Sequence, residues 1–317
     1  MILIEVIDVT KRYGRHVILD KINFTVDKGE VLGFLGPNGA GKSTTMNIIT
    51  GYISATEGQV KVDGIDMLEH PEKVKKKIGY LPEIPPLYPE MTVEEYLRFV
   101  CDIKKVSGPK REESLKQVMD TVRISDVKER LIRNLSKGYR QRIGIAQAII
   151  GDPEVLILDE PTVGLDPNQI IEIRNLIKEL GKRHTIILSS HILPEVSAIC
   201  GRVLIINKGQ IVAEGSPEEL SQQFNYSSKI LLRIKGDGEE AVKTIQGIEN
   251  VVSVANQGVK EDNTVDILVE SKKGVDIREQ LFNAMSFANL PIYMMKPMNL
   301  TLEDIFAQVT THEEVEK

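Results

Sequence analysis

Residues 36–44 read Gly-Pro-Asn-Gly-Ala-Gly-Lys-Ser-Thr. They follow the apolar run Val31-Leu32-Gly33-Phe34-Leu35 and lead into Thr44-Thr45-Met46-Asn47-Ile48-Ile49. The spacing GxxxxGKS has a physical reason at each fixed position. Gly36, Gly39 and Gly41 have no Cβ, so the backbone can take positive φ and wrap closely around a polyphosphate. Lys42 supplies a point charge for the β and γ phosphates, and Ser43 a hydroxyl for Mg²⁺. Gly36, Pro37, Asn38, Gly39, Ala40, Gly41, Lys42, Ser43 and Thr44 together are therefore the candidate phosphate-binding loop. The run from Thr44 to Ile49 starts a helix whose N-terminal amides and dipole favour an anion. A strand before and a helix after is the context this chemistry requires, and it separates the loop from an ordinary glycine turn.

Such a loop says nucleotide and little more. Further along, Val155-Leu156-Ile157-Leu158-Asp159-Glu160 is a buried-strand run ending in two carboxylates. An apolar strand delivers Asp159 to a sheet edge, where it can hold Mg²⁺. Glu160 follows at once, and a carboxylate there can take a proton from attacking water. By itself the run also fits a core strand with two solvated acids. Between the loop and this strand lies Leu135-Ser136-Lys137-Gly138-Tyr139-Arg140-Gln141-Arg142, followed by an apolar-rich stretch. Ser136 there opens a helix with its hydroxyl and the Gly138 amide at a free N-terminus.

In this order the segments resemble the ATP-binding-cassette (ABC) family. Leu135 to Arg142 resembles its LSGGQ signature, Gly36 to Thr44 its Walker A loop, and Asp159-Glu160 the end of its Walker B strand. Tyr13 resembles the aromatic residue that stacks on adenine. Pro161 to Asp166 resembles the D-loop, and His191, after Ser189-Ser190, the switch histidine that contacts the γ-phosphate. The resemblance implies an α/β fold: a P-loop NTPase cassette with a RecA-like core, an antiparallel β subdomain and a helical subdomain at about 84–150. It also implies ATP and Mg²⁺ as ligands, with Ser43, Asp159 and Glu83 on the metal, and Glu160, His191 and Lys42 as catalytic groups. Two cassettes, identical or closely related, are expected to close head to tail over two ATP molecules. Ser136 and Gly138 would then complete the partner's γ-phosphate site, and Asp166 is a further candidate nucleotide-binding residue.

Two departures stand out. Ile78-Gly79-Tyr80-Leu81-Pro82 resembles the approach to the Q-loop, where a glutamine follows; here Glu83 stands instead. Glutamate keeps an oxygen ligand but adds a charge and loses the amide donor. Lys137 and Tyr139 occupy signature positions where the family prefers Gly and Gln, while Ser136 and Gly138 are kept.

At 317 residues, with 41% hydrophobic residues, the chain has room for two domains and a real core. No stretch approaches the roughly 20 apolar residues of a membrane span. A transport role would therefore route the cargo through a separately encoded permease, with this chain at the cytoplasmic face of a prokaryotic membrane. The Pro-rich loop Ile84 to Met91 is the expected docking surface. Met1 to Asp8 reads as a strand, not a signal peptide. The two cysteines, Cys101 and Cys200, make no metal spacing and fit a reducing compartment. Nucleic acid is an unexpected partner for a net charge of −6 with no basic arm or stripe. Lys73, Lys75, Lys76 and Lys77 form a short basic cluster, read as a solvated helix face.

The cassette is expected over 1–224 and an accessory α+β domain over 225–317, with a polar, aperiodic boundary at Ser221 to Ser228. Beyond it the pattern is strand 229–235, helix 239–245, strands 250–256 and 264–270, helix 275–287 and strand 291–296. This β-α-β-β-α-β order is ferredoxin-like. Thr301 is expected to cap a last helix over 302–309. An appendage ending in Asn299 to Phe306 resembles the export ATPases related to daunorubicin resistance and gliding motility. Three function classes remain from sequence: the motor of a membrane exporter, a soluble ABC ATPase acting on ribosomes or DNA, and a nucleotide-dependent switch. The exporter is favoured by a single phosphate loop and the lack of sustained heptads; Glu160 argues against a switch.

Overall fold

The computed structural model describes residues 1–298 apart from 107, 109, 225–227, 260, 262 and 273. They form two compact units, Met1–Pro217 and one beginning at Glu218.

The first unit is built on a six-stranded sheet. Strands Ile78–Leu81, Val155–Asp159, Thr185–Ser190, Val31–Leu35 and Arg202–Asn207 lie side by side in that order and run parallel, and Gln210–Gly215 adds an antiparallel edge. Every residue of Val155–Asp159 and Thr185–Ser190 is buried. Strands covered on both faces read as continuous apolar runs, which is why these were visible in the sequence. A four-stranded antiparallel sheet, ordered His16–Asp27, Ile2–Tyr13, Glu57–Val62, Ile65–Asp66, packs against the first. Its inner residues Ile4, Val6, Ile22, Phe24 and Val60 share one core with Phe34, Met46, Ile49, Ile157 and Ile187.

Phe34 is fully buried at the centre of this core, its ring 5.6 Å from that of Phe24. Phe34→Ala is expected to destabilise the first unit by about 3–5 kcal/mol, the usual transfer-plus-cavity cost for a buried phenylalanine. A denaturant midpoint shifted by much less would show that the core collapses around the gap.

The helical region comprises Val93–Ile103, Lys110–Thr121 and Lys137–Ile149. The first of these starts with a capping box, in which Thr92 and Glu95 satisfy each other's backbone N–H groups. Helix Lys137–Ile149 packs on strand Ile78–Leu81 at Gly79, where an added Cβ would fall 2.3 Å from the Ala148 carbonyl oxygen. Only glycine allows that approach.

In the second unit the strands are ordered Val251–Val259, Thr264–Ser271, Ser228–Lys235, Ile292–Met298, all antiparallel. Helices Gly238–Gln246 and Arg278–Phe287 supply Ala241, Ile245, Leu281 and Met285 to a core with Ile230, Leu232, Ile267 and Val269. This is the split βαβ arrangement expected from the element order. Two sequence expectations need correction. Ser221–Phe224 is not aperiodic linker but the end of helix Pro217–Phe224, whose first turn carries Glu218 and Glu219, favourable at a helix N-terminus. The helix expected from Val275 begins only at Arg278, after Asp276 turns its carboxylate onto the Arg278 N–H at 3.0 Å. The helix expected over 302–309 lies outside the described residues.

Candidate functional site

Parallel register assembles the site. Leu35 pairs with Ser190 and Asp159 with Ser189, while Leu81 lies opposite Leu158. The strands leading to the 36–44 loop, Glu83, Glu160 and His191 therefore all end at one edge of the sheet. Ligands of open parallel sheets gather outside such carboxyl ends.

The loop enters helix Lys42–Ile49 through Gly41, whose φ of 112° is closed to other residues. Lys42 is 6% exposed, and its Nζ donates to the carbonyls of Gly36 (2.7 Å) and Pro37 (3.2 Å). The same ammonium lies 3.5 Å from Glu160 Oε1, and Glu160 Oε2 is 2.9 Å from His191 Nδ1. Lys42, Glu160 and His191 thus form one polar chain at the mouth of the loop. Both Lys42 and Glu160 are nearly removed from water, whereas the His191 side chain is 39% exposed.

Glu160 adopts φ +48°, a left-handed conformation that costs a non-glycine residue roughly 1–3 kcal/mol. Its N–H donates to Ser189 Oγ at 2.9 Å and to the Ser189 carbonyl at 3.2 Å. Ser189 Oγ in turn donates to Asp159 Oδ1 at 2.5 Å. One buried hydroxyl therefore orients both acidic residues. Burial pushes the Asp159 carboxyl above its ordinary pKa, against the lowering effect of hydrogen bonds from Ser189 and Ser43. A carboxyl with a raised folded pKa costs stability when ionised, so the neutral amide removes that cost. Asp159→Asn is expected to raise the melting temperature of the ligand-free protein at pH 7, and thermal unfolding in a chelator checks it.

A cleft of about 400 Å³ opens over the loop, lined by Asn38, Gly39, Gly41, Lys42, Ser43, Thr44, Glu83, Glu160 and His191, with Ile18 and Val163. Val163 lies in the 161–166 segment that resembles the D-loop, three residues after Glu160, whereas Ile18 carried no sequence signal, because tertiary packing alone brings it there. Gly36, Pro37 and Ala40 belong to the loop but do not line this cleft. Tyr13 ends its strand at the hairpin to His16, half exposed, with Lys11 Nζ 5.0 Å from its ring centre, and also lies outside the lining. Ser136 caps the signature helix, accepting from Tyr139 N at 3.4 Å, and Gly138 is buried against Gln169. Asp166 caps helix Pro167–Gly181 through Gln169 N at 2.9 Å. None of these three lines the cleft of its own phosphate loop.

Ser43 and Glu83 also line a second, adjoining cleft of about 750 Å³, together with Asp159, Tyr52, Tyr80, Ile84, Pro86, Lys104 and Gln147. The loop after Glu83 is pinned there. Tyr88 stacks edge-on against Phe99, and Tyr96 Oη donates to the Pro86 carbonyl at 3.2 Å. Ile84 is left 82% exposed.

The profile of the family described as ABC transporter matches residues 19–163. The bacitracin transport ATP-binding protein BcrA of Bacillus licheniformis is 38% identical over 214 residues, 67% of this chain and 69% of that one. The linearmycin resistance ATP-binding protein LnrL of Bacillus subtilis is 34% identical, covering 78% and 80%. The ABC transporter ATP-binding protein YdbJ of Bacillus subtilis is 33% identical over nearly the whole length, 96% and 94%. Among solved structures, an ATP-binding subunit of an ABC transporter superposes with a TM-score of 0.64 at 32% identity, over 70% of this chain and 93% of that one. The dimeric cassette MJ0796 gives 0.62 at 26% identity, over 68% and 98%.

Proposed function

We propose, from the premise that this chain belongs to the ABC transporter family, that it drives export through a membrane subunit carried on another polypeptide. The chain is the ATP-binding and ATP-hydrolysing subunit of such a transporter. The observation that carries the site reading is the Lys42–Glu160–His191 chain at the phosphate loop, in which Lys42 and Glu160 are buried and His191 is exposed.

In this scheme the 36–44 loop and Lys42 hold the phosphates, and Tyr13 stacks on adenine. Glu160 takes the proton of the attacking water, which general-base catalysis makes worth about 10²–10⁴ in rate. His191 holds the free oxygen of Glu160 in place and meets the γ-phosphate. Mg²⁺, when bound, neutralises charge on the phosphates. Ser43, Asp159 and Glu83 are the hard oxygen donors that would hold it, and their lining of one cleft supports that fit. Dimerisation on ATP is supported by Ser136 and Asp166, which are exposed and do not line the chain's own cleft, with Gly138 beside Ser136 at the start of the same helix. The dimeric form of MJ0796 agrees with this.

Export is supported by the relatives named for linearmycin resistance and bacitracin transport. Among the described residues no helix is long and apolar enough to cross a membrane. A partner supplying the path, with this chain at the cytoplasmic face, accounts for the exposed Ile84 and the cleft behind it. Tagged Glu160→Gln with ATP and Mg²⁺, used to capture partners from native membranes, tests the reading. A polytopic membrane protein in stoichiometric yield is the expected result. Ribosomal proteins in its place would transfer the chain to the soluble class.

A further inference from the structure

Thr162 and Glu195 take no part in the chemistry described above, yet both are almost fully buried, at 4% and 5% exposure. Thr162 Oγ1 donates to Glu195 Oε2. Burying a carboxylate is costly, so one that stays buried has a partner that repays the desolvation. The two residues lie in the segments that carry the catalytic pair. Thr162 is two residues after Glu160, in a turn closed by Val163 N to the Glu160 carbonyl at 3.2 Å. Glu195 is four residues after His191, in the short helix Leu193–Ser197, and its own N–H returns to the Ile192 carbonyl at 3.2 Å. The side-chain bond therefore ties the turn that begins at Glu160 to the helix that follows His191.

We propose that Glu195 is a positioning residue for ATP hydrolysis, holding Glu160 and His191 in register through Thr162. The need for such a tie is visible at Glu160 itself. Its left-handed backbone is strained and persists only where surrounding contacts over-determine it. Ser189 secures that backbone from the strand side, and the Thr162–Glu195 bond secures it from the side of the histidine. Without the tie, the 2.9 Å contact between His191 Nδ1 and Glu160 Oε2 loses one of its two supports. The phosphate loop, by contrast, touches neither Thr162 nor Glu195 through its own hydrogen bonds, so ATP affinity depends on the tie far less than turnover does.

This inference rests on the assignment of Glu160 and His191 as the catalytic pair. The test uses the full chain and compares Glu195→Ala, Glu195→Gln, Thr162→Val and the Thr162→Val/Glu195→Ala double variant. Maximal turnover and the Kd for ATP are measured for each, with Glu160→Gln alongside. Misplacement of a reacting group by an ångström can cost roughly 100-fold, and a loss of roughly 10-fold or more in turnover is expected for Glu195→Ala and for Thr162→Val. The Kd should stay within about 3-fold, and Glu195→Gln, which keeps an acceptor oxygen, should recover most of the rate. The double variant should be no slower than the worse single one, because both break the same bond. Folded Glu195→Ala with unchanged turnover, a Glu195→Gln as slow as Glu195→Ala, or multiplicative losses in the double variant would each overturn the tie. If Glu195→Ala does not fold, Thr162→Val decides alone. Normal turnover in Glu160→Gln would instead remove the catalytic assignment on which the tie depends.

Discussion

Glu160→Gln should lower ATP turnover by about 10²–10⁴ while leaving ATP binding intact. The amide cannot accept the proton of the attacking water, but it keeps the shape of the side chain and an oxygen for the contact now made at 2.9 Å to His191. It also removes a carboxylate buried 3.5 Å from the Lys42 ammonium, so the phosphates meet less competition for that cation. ATP should then accumulate unhydrolysed and hold two chains together. Gel filtration or light scattering with ATP and Mg²⁺ reads the dimer, and a coupled assay reads turnover. A variant that remains monomeric at saturating ATP, or that hydrolyses at the parental rate, would rule out this role for Glu160.

Lys42→Met should weaken ATP binding by roughly 10- to 100-fold, the equivalent of one charge-assisted contact of about 1.5–3 kcal/mol. A second consequence comes from the geometry of the nucleotide-free site. The ammonium serves the Gly36 and Pro37 carbonyls and the buried Glu160 carboxylate at once. Methionine fills the volume but leaves those groups short of a donor, at a cost of about 1–3 kcal/mol in stability. The His191 contact limits the loss at Glu160. Adding Glu160→Gln to Lys42→Met should restore part of the stability and none of the affinity. Titration with a fluorescent nucleotide and thermal unfolding in its absence separate the two effects. Equal stability of Lys42→Met and the parent would mean that the buried pair contributes nothing before ATP arrives.

Both expectations draw on residues legible in the sequence, and the reason is local. GxxxxGKS, a buried strand ending in Asp159-Glu160, and a serine-capped helix at Ser136 are defined by neighbours a few positions away. Backbone φ, strand periodicity and helix capping act over that range. The same holds for the second unit, whose alternating strands and amphipathic helices set out the split βαβ order. The mostly polar Ser221–Phe224 hides the last turn of helix Pro217–Phe224, because helix propensity alone is too weak a signal to mark it.

What the sequence by itself determined, then, was the chemistry available and the kind of sheet that would present it. Tertiary structure alone decided how the parts meet. Parallel pairing of Leu35 with Ser190 and of Asp159 with Ser189 sets three distant segments at one edge. That register is fixed by packing on both sheet faces, not by any local motif. It makes Ser189 a shared donor and acceptor for both acids, while the antiparallel sheet, on whose strand His16–Asp27 Ile18 lies, brings that residue to the cleft. The parallel register also sets Glu195 against Thr162. Hydrogen bonds between residues far apart in the chain leave no periodicity behind, so a buried serine or glutamate reveals its role only when the fold has brought its partner to it.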